Sequence, residues 1–157
     1  MFSLPTLDYS NKSNFYEDLR LAGKGLVSGE SDQVANCANL AALLYHSLPD
    51  INWAGFYLFD GKELVVGPFQ GKPACVRIAM GEGVCGTAAA ERRTMRVADV
   101  EAFPGHIACD SASRSEIVIP LVDGKRLIGV LDIDSPLTDR FDQLDQNGLE
   151  AFAQILP

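Results

Sequence analysis

Two turn signals constrain the topology of this chain more than any other feature. Asp60-Gly61 and Asp123-Gly124-Lys125 each separate short apolar runs of strand-like composition. Turns of this kind join neighbouring strands as hairpins and so make them antiparallel. The runs they join are 52–59 with 63–66, and 116–121 with 127–132. Further strands are expected at 75–79 and 95–98, with a short helix over 83–93, where Val84, Ala88 and a run of alanines lie. Before the first strand the period is helical. In 11–29, Phe15, Leu19, Ala22 and Leu26 fall near one face, although Gly23 and Gly25 weaken the end. Asn11 or Ser13 suits the N-cap there, and Gly29 the stop. In 32–48, Val34, Cys37, Ala41, Leu44 and Leu48 repeat at helical spacing between Asp32 as N-cap and Pro49-Asp50 as stop. A closing helix is expected over 144–156. Terminal helices meeting on one face of a mainly antiparallel sheet of about six strands make an α+β sandwich.

The chain has 157 residues, the size of one domain, and needs no disulfide to hold its core. Its formal net charge is -8, and Arg92-Arg93 is its longest basic cluster. Nucleic acid is therefore not an expected partner, since its binding depends on neutralising phosphates. No run is long and apolar enough for a membrane span, and the Met1–Thr6 stretch lacks the charged and apolar regions of a signal peptide. The expected location is the cytoplasm, where stable disulfides are rare and cysteines more often serve catalysis or metal binding. No tail that would recruit a partner is read after the last helix.

The cysteines divide into two kinds. Cys37 sits on the apolar face of a helical run and reads as inert core. Cys75, Cys85 and Cys109 lie in Gln-Gly-Lys-Pro-Ala-Cys75, Gly-Glu-Gly-Val-Cys85-Gly and Phe-Pro-Gly-His106-Ile-Ala-Cys109-Asp110. Such polar, turn-rich settings favour exposure, and an exposed thiol can ionise to its reactive form. Cys85 at a helix start would gain further acidity from the helix dipole, which makes it as good a nucleophile as Cys109 on local grounds. Asp132 and Asp134 alternate along one strand and share a face, with Leu131 and Ile133 on the other. Trp53 and Tyr57 share a face in the same way.

These segments, with Ile119-Pro120-Leu121, Ser115-Glu116-Ile117-Val118 and Leu127 through Ser135, resemble the GAF fold. More narrowly they resemble its free methionine-(R)-sulfoxide reductases. The resemblance implies one GAF domain over 1–157 and reduction of a free amino-acid sulfoxide to methionine. It implies Cys109 as nucleophile and Cys75 and Cys85 as resolving thiols. Cys75–Cys109 is the favoured disulfide and Cys85–Cys109 the close alternative. Glu116 and Asp134 are expected to serve the sulfoxide oxygen, with Asp132 beside them, and the three carboxylates to hold the amino group. Trp53 and Tyr57 are expected to seat the methyl group. Thioredoxin is the expected reductant, no metal or organic cofactor is expected, and a homodimer is an option for which the sequence has no marked stripe.

The chemistry agrees with that expectation. A thiolate attacks the sulfoxide sulfur, and a carboxylic acid kept neutral by burial supplies a proton. The resulting sulfenic acid condenses with a neighbouring thiol, and an external dithiol restores the pair by exchange. Two other readings compete. One is a GAF module that senses a small molecule without chemistry; such modules usually adjoin an output domain, for which this chain has no room. The other is zinc held by Cys75, Cys85, Cys109 and His106, whose spacing lacks the paired knuckles of structural zinc sites. His106 is otherwise read as a hydrogen-bonding loop residue and His46 as structural.

Overall fold

The computed structural model describes residues 3–4 and 6–156. Met1, Phe2 and Pro5, within the Met1–Thr6 stretch that lacks signal-peptide features, and the terminal Pro157 lie outside the described residues. The elements are α1 (Lys12–Val27), α2 (Gln33–Ser47), β1 (Trp53–Phe59), β2 (Leu64–Gly71), β3 (Arg77–Ile78), α3 (Gly83–Glu91), β4 (Met95–Val97), β5 (Ser115–Asp123), β6 (Arg126–Ser135) and α4 (Gln143–Ala153), with a 3-10 turn at Val100–Ala102. The strands form a six-stranded antiparallel sheet in the order β3-β2-β1-β6-β5-β4.

The helix starts follow local chemistry. Asn11 and Asp32 each accept a backbone N–H from three residues on, as N-caps do. Asp142 and Asp145 form a reciprocal capping box at the start of α4. Alternation along the strands then sorts side chains to two faces. On one, Ala54, Phe56, Ile117, Ile119, Leu131 and Ile133 pack with Phe15, Leu19, Leu40, Leu44, Leu149 and Phe152 of α1, α2 and α4. On the other, Trp53, Tyr57, Val118 and Val130 pack with Val84, Cys85 and Ala88 of α3. The sheet is thus covered by terminal helices on one side, as expected, and by α3 with its flanking loops on the other.

β5 and β6 run a few residues beyond the expected 116–121 and 127–132, and two other strands differ more. β2 runs on past residue 66, through Gly67-Pro68, because a register shift between Gly55 and Tyr57 of β1 provides the irregular position that proline requires. The strand expected at 75–79 shrinks to Arg77–Ile78, because the Cys75 carbonyl accepts from the Tyr57 hydroxyl at 3.0 Å and leaves the ladder. Among the described residues, no helix is long and apolar enough to cross a membrane.

Candidate active site

β5 and β6 bring the acids together. Their register sets Glu116 opposite Asp134 and Val118 opposite Asp132, while β1 sets Trp53 opposite Asp134. Glu116 and Asp132 are buried on the α3 side of the sheet, and Asp134 lies beside them. Leu131 and Ile133 face the helical core, as the alternation predicts. Above the acids, α3 and the 103–114 segment close a cavity of about 30 Å3 lined by Tyr57, Cys85, His106, Cys109, Glu116 and both aspartates, among others.

Burial dominates the electrostatics. It pushes the Glu116 carboxyl well above its usual range, and the charges of Asp132 and Asp134 push it further. Asp134 moves the same way, first by burial and then by Asp132. Asp132 is raised mainly by burial. Asp132 Oδ1 and Asp134 Oδ1 are buried and have no hydrogen-bond partner among the described residues. Orphaned buried acceptors facing a cavity need a donor or a cation from outside the chain.

Cys75 and Cys109 are joined in a disulfide, with Cα atoms 5.5 Å apart. Both are partly exposed. The alternative Cys85–Cys109 pairing is not formed, and Cys85 carries a free, buried thiol. The expectation of an acidic Cys85 is overturned. It does lie in the first turn of α3. Burial nevertheless raises its pKa well above the ordinary value, and Asp132, Glu116 and Asp134 add to the rise. Its thiol instead donates to Glu116 Oε1 at 3.7 Å. The glycines beside it, which suggested an open loop, serve close packing. A Cβ on Gly86 would lie 2.3 Å from the Ala79 carbonyl oxygen, so glycine lets α3 settle against that backbone and bury the thiol. Cys37 is fully buried in the helical core and its pKa is pushed up to about 11 by that burial.

The aromatic pair takes a role that alternation alone does not reveal. Trp53 and Tyr57 stack with ring centroids 5.8 Å apart, and Trp53 stacks on Phe69 at 5.1 Å. The Trp53 indole N–H donates to the Lys72 carbonyl at 3.1 Å. Together with the Tyr57–Cys75 bond, this ties the cysteine-bearing 72–75 segment to β1 at two points. Tyr57 lines the cavity. His106 is half-buried, with Nε2 3.8 Å from Glu116 Oε2, beyond hydrogen-bond distance, and burial lowers its pKa. His46 stacks edge-on with Tyr45 in α2, away from the site. With Cys75 and Cys109 bonded to each other, the zinc set of Cys75, Cys85, Cys109 and His106 is not assembled.

Two positioning residues escaped the sequence reading. Asn52 Nδ2 donates to Asp110 Oδ2 and to Ser113 Oγ, both at 3.1 Å. Ser113 Oγ in turn donates to Asp134 Oδ2 at 3.1 Å. This chain of bonds links the loop that carries Cys109 to the acids of β6. Asn52 only opens the 52–59 run and Ser113 lies in no periodic run, so the pairing of distant segments was the signal for their role.

The comparisons with known proteins agree with this geometry. The sequence profile described as "GAF domain" matches residues 33–156. The chain is 57% identical over 139 residues to the free methionine-R-sulfoxide reductase of Escherichia coli (strain K12), spanning 88% of this chain and 84% of that protein. It is 46% identical over 155 residues to the enzyme of the same name in Saccharomyces cerevisiae, with 93% and 86% covered. The structure of free methionine-R-sulfoxide reductase from Neisseria meningitidis in complex with its substrate superposes with a TM-score of 0.94 at 47% identity, covering 99% of this chain and 93% of that one. On the profile match, the relatives and the superposition together, the chain belongs to the GAF-domain family of free methionine-R-sulfoxide reductases.

Proposed function

We propose that this protein reduces free L-methionine-(R)-sulfoxide to L-methionine. The observation that carries the reading is the Cys75–Cys109 disulfide at a cavity walled by Glu116, Asp132 and Asp134. A ligand-sensing module without chemistry has no use for that bond. In the reduced state, the Cys109 thiolate attacks the sulfoxide sulfur, and Glu116 with Asp134, held protonated by burial, supplies the proton for the oxygen. Attack joins Cys109 to the substrate sulfur as the S–O bond breaks and the oxygen leaves as water. Water then attacks the Cys109 sulfur, the new bond breaks with its electron pair going to the substrate sulfur, methionine departs and Cys109 is left as a sulfenic acid. The Cys75 thiol displaces water from that sulfenic acid, forming the observed disulfide. Thioredoxin-type dithiols then reduce the pair by exchange, so no metal or organic cofactor enters the electron path.

The orphaned oxygens of Asp132 and Asp134 suit the ammonium group of a free amino acid, which has donors and no acceptor. A peptide-bound residue lacks that group. Trp53 and Tyr57 are the aromatic seat for the methyl group. We assign the protein to the cytoplasm, where thioredoxin keeps thiols reduced, and a homodimer is the assembly to test by light scattering.

The test is NADPH consumption in the presence of thioredoxin and thioredoxin reductase. Free methionine-(R)-sulfoxide, its (S) epimer and a peptide-like blocked sulfoxide are compared. Turnover with the free (R) form alone is expected. A folded, reduced protein that consumes none of them would point back to the sensing module.

A further inference from the structure

Cys85 lies outside the Cys75–Cys109 disulfide, and its buried thiol is enclosed by acids. We propose that Cys85, Glu116 and Asp132 form a zinc site, and that Zn2+ there competes with the substrate ammonium for the same seat. The second half of this statement rests on the reading of the site given above; the first does not.

Four observations carry it. One donor atom from each of the three residues lies within 4.8 Å of the other two, and all three residues are buried. Cys85 Sγ and Glu116 Oε1 are 3.7 Å apart. That is close to the edge of about 3.5 Å expected for a tetrahedron with a Zn–S bond of about 2.3 Å and a Zn–O bond of about 2.0 Å. Asp132 is 6% exposed, lines the cavity, and leaves Oδ1 without a partner. Finally, all three donors line the same cavity of about 30 Å3, which has room for an ion and a water on it.

The donor set selects the metal. Calcium and magnesium take oxygen ligands and gain nothing from a thiol. Copper(I) prefers several soft sulfurs, whereas the disulfide removes Cys75 and Cys109 from the ligand pool. One sulfur with two carboxylate oxygens suits borderline-soft zinc, and three protein ligands leave the fourth position to water. Binding converts the Cys85 S–H to a Zn–S bond and displaces the proton that burial keeps on Glu116, and both protons leave to solvent as the ion takes up the charge of the thiolate and carboxylates. The site differs from the Cys75, Cys85, Cys109 and His106 set considered from sequence, because it is complete while the disulfide is intact.

The oxidised protein isolates the question. With Cys75 and Cys109 bonded, the free thiols are Cys37 and Cys85, and Cys37 lies across the sheet in the helical core. Co2+ titrated into oxidised protein without reductant is expected to give a near-ultraviolet thiolate-to-cobalt band that saturates at a single ion per chain and is discharged by Zn2+. Cys37→Ala should keep the band. Cys85→Ala should abolish it, and Asp132→Asn, which retains the thiol, should weaken binding by about 100-fold or more. Absence of a saturable band, or its survival in Cys85→Ala, overturns the site. Should Cys85→Ala fail to fold, unchanged affinity in Asp132→Asn overturns it equally. For the competition, the Cys75→Ser/Cys109→Ser double variant is loaded with Co2+ and free methionine-(R)-sulfoxide is added. Loss of the band supports the shared seat, and an unchanged band overturns it. Failure of the catalytic reading would show separately, in the NADPH assay.

Discussion

At the scale of single residues, the two cysteine settings make opposite predictions. Cys109 is partly exposed and bonded to Cys75, so it can meet both substrate and reductant. Cys109→Ser should abolish turnover in the coupled assay. Cys75→Ser should still release methionine in a single turnover, measured by rapid quench, but recycle slowly because the sulfenic acid has lost its partner. Glu116 can be tested through pH. Burial first, then Asp132 and Asp134, holds its pKa well above the usual value, so the proton it is proposed to donate is present at low pH. As pH rises through that raised pKa, the proton is lost and the chemical step slows. Glu116→Gln should lower the single-turnover rate by about 10²- to 10⁴-fold and remove the alkaline limb that Glu116 produces. A variant with unchanged rate and pH profile would exclude Glu116 as the acid.

At the scale of elements, a polar anchor ties the helices together on the side of the sheet opposite the site. Asp145 in α4 is fully buried and accepts from Tyr9 and Tyr16 at 2.7 and 2.8 Å. Lys12 of α1 reaches it at 2.9 Å, and Arg140 at 3.4 Å. Burial pushes its pKa up, but the Asp142 backbone N–H, Lys12 and the tyrosines outweigh burial and hold it at about 2. Because the folded value lies below the ordinary 3.8, this group's stabilisation is present above that pH and is lost as pH falls toward 2. Asp145→Ala should cost about 3–5 kcal/mol, the range for breaking a buried ion pair by removing one partner. It should also flatten the acid limb of a denaturation series. The caps of α1 and α2 and the helix faces were legible in the sequence, since each depends on neighbours three or four residues away; the Asp142–Asp145 box of α4 was not read there. The strand alternation that pairs Asp132 with Asp134 was legible for the same reason. The burial of Cys85 was not, because it follows from α3 meeting the backbone of Ala79 and the side chains of β5 and β6. Asn52 and Ser113 were not legible either, since the bond between them crosses 61 positions of chain.

At the scale of the whole molecule, the disulfide determines what the cavity can admit. It clips the 72–75 segment, already tied to β1 by Trp53 and Tyr57, to the 103–114 segment that carries Cys109. The 103–114 segment, held by that bond, borders a narrow space of about 30 Å3 above the acids. The acids beneath remain in place because strand pairing, not the disulfide, sets them. Reduction should therefore leave the floor of the site unchanged while freeing its walls to part. Substrate should stabilise only the form it can enter, since a ligand raises stability in proportion to its binding to the folded state. In thermal denaturation, free methionine-(R)-sulfoxide should raise the midpoint of Cys109→Ser, which cannot form the bond, and leave oxidised wild type unmoved. Calorimetric titration should agree, with affinity for the oxidised form weaker by about tenfold or more, equivalent to at least about 1.4 kcal/mol. Equal binding to both forms would mean that the walls open without reduction, and that the disulfide only stores the oxidising equivalents and does not control access to the site.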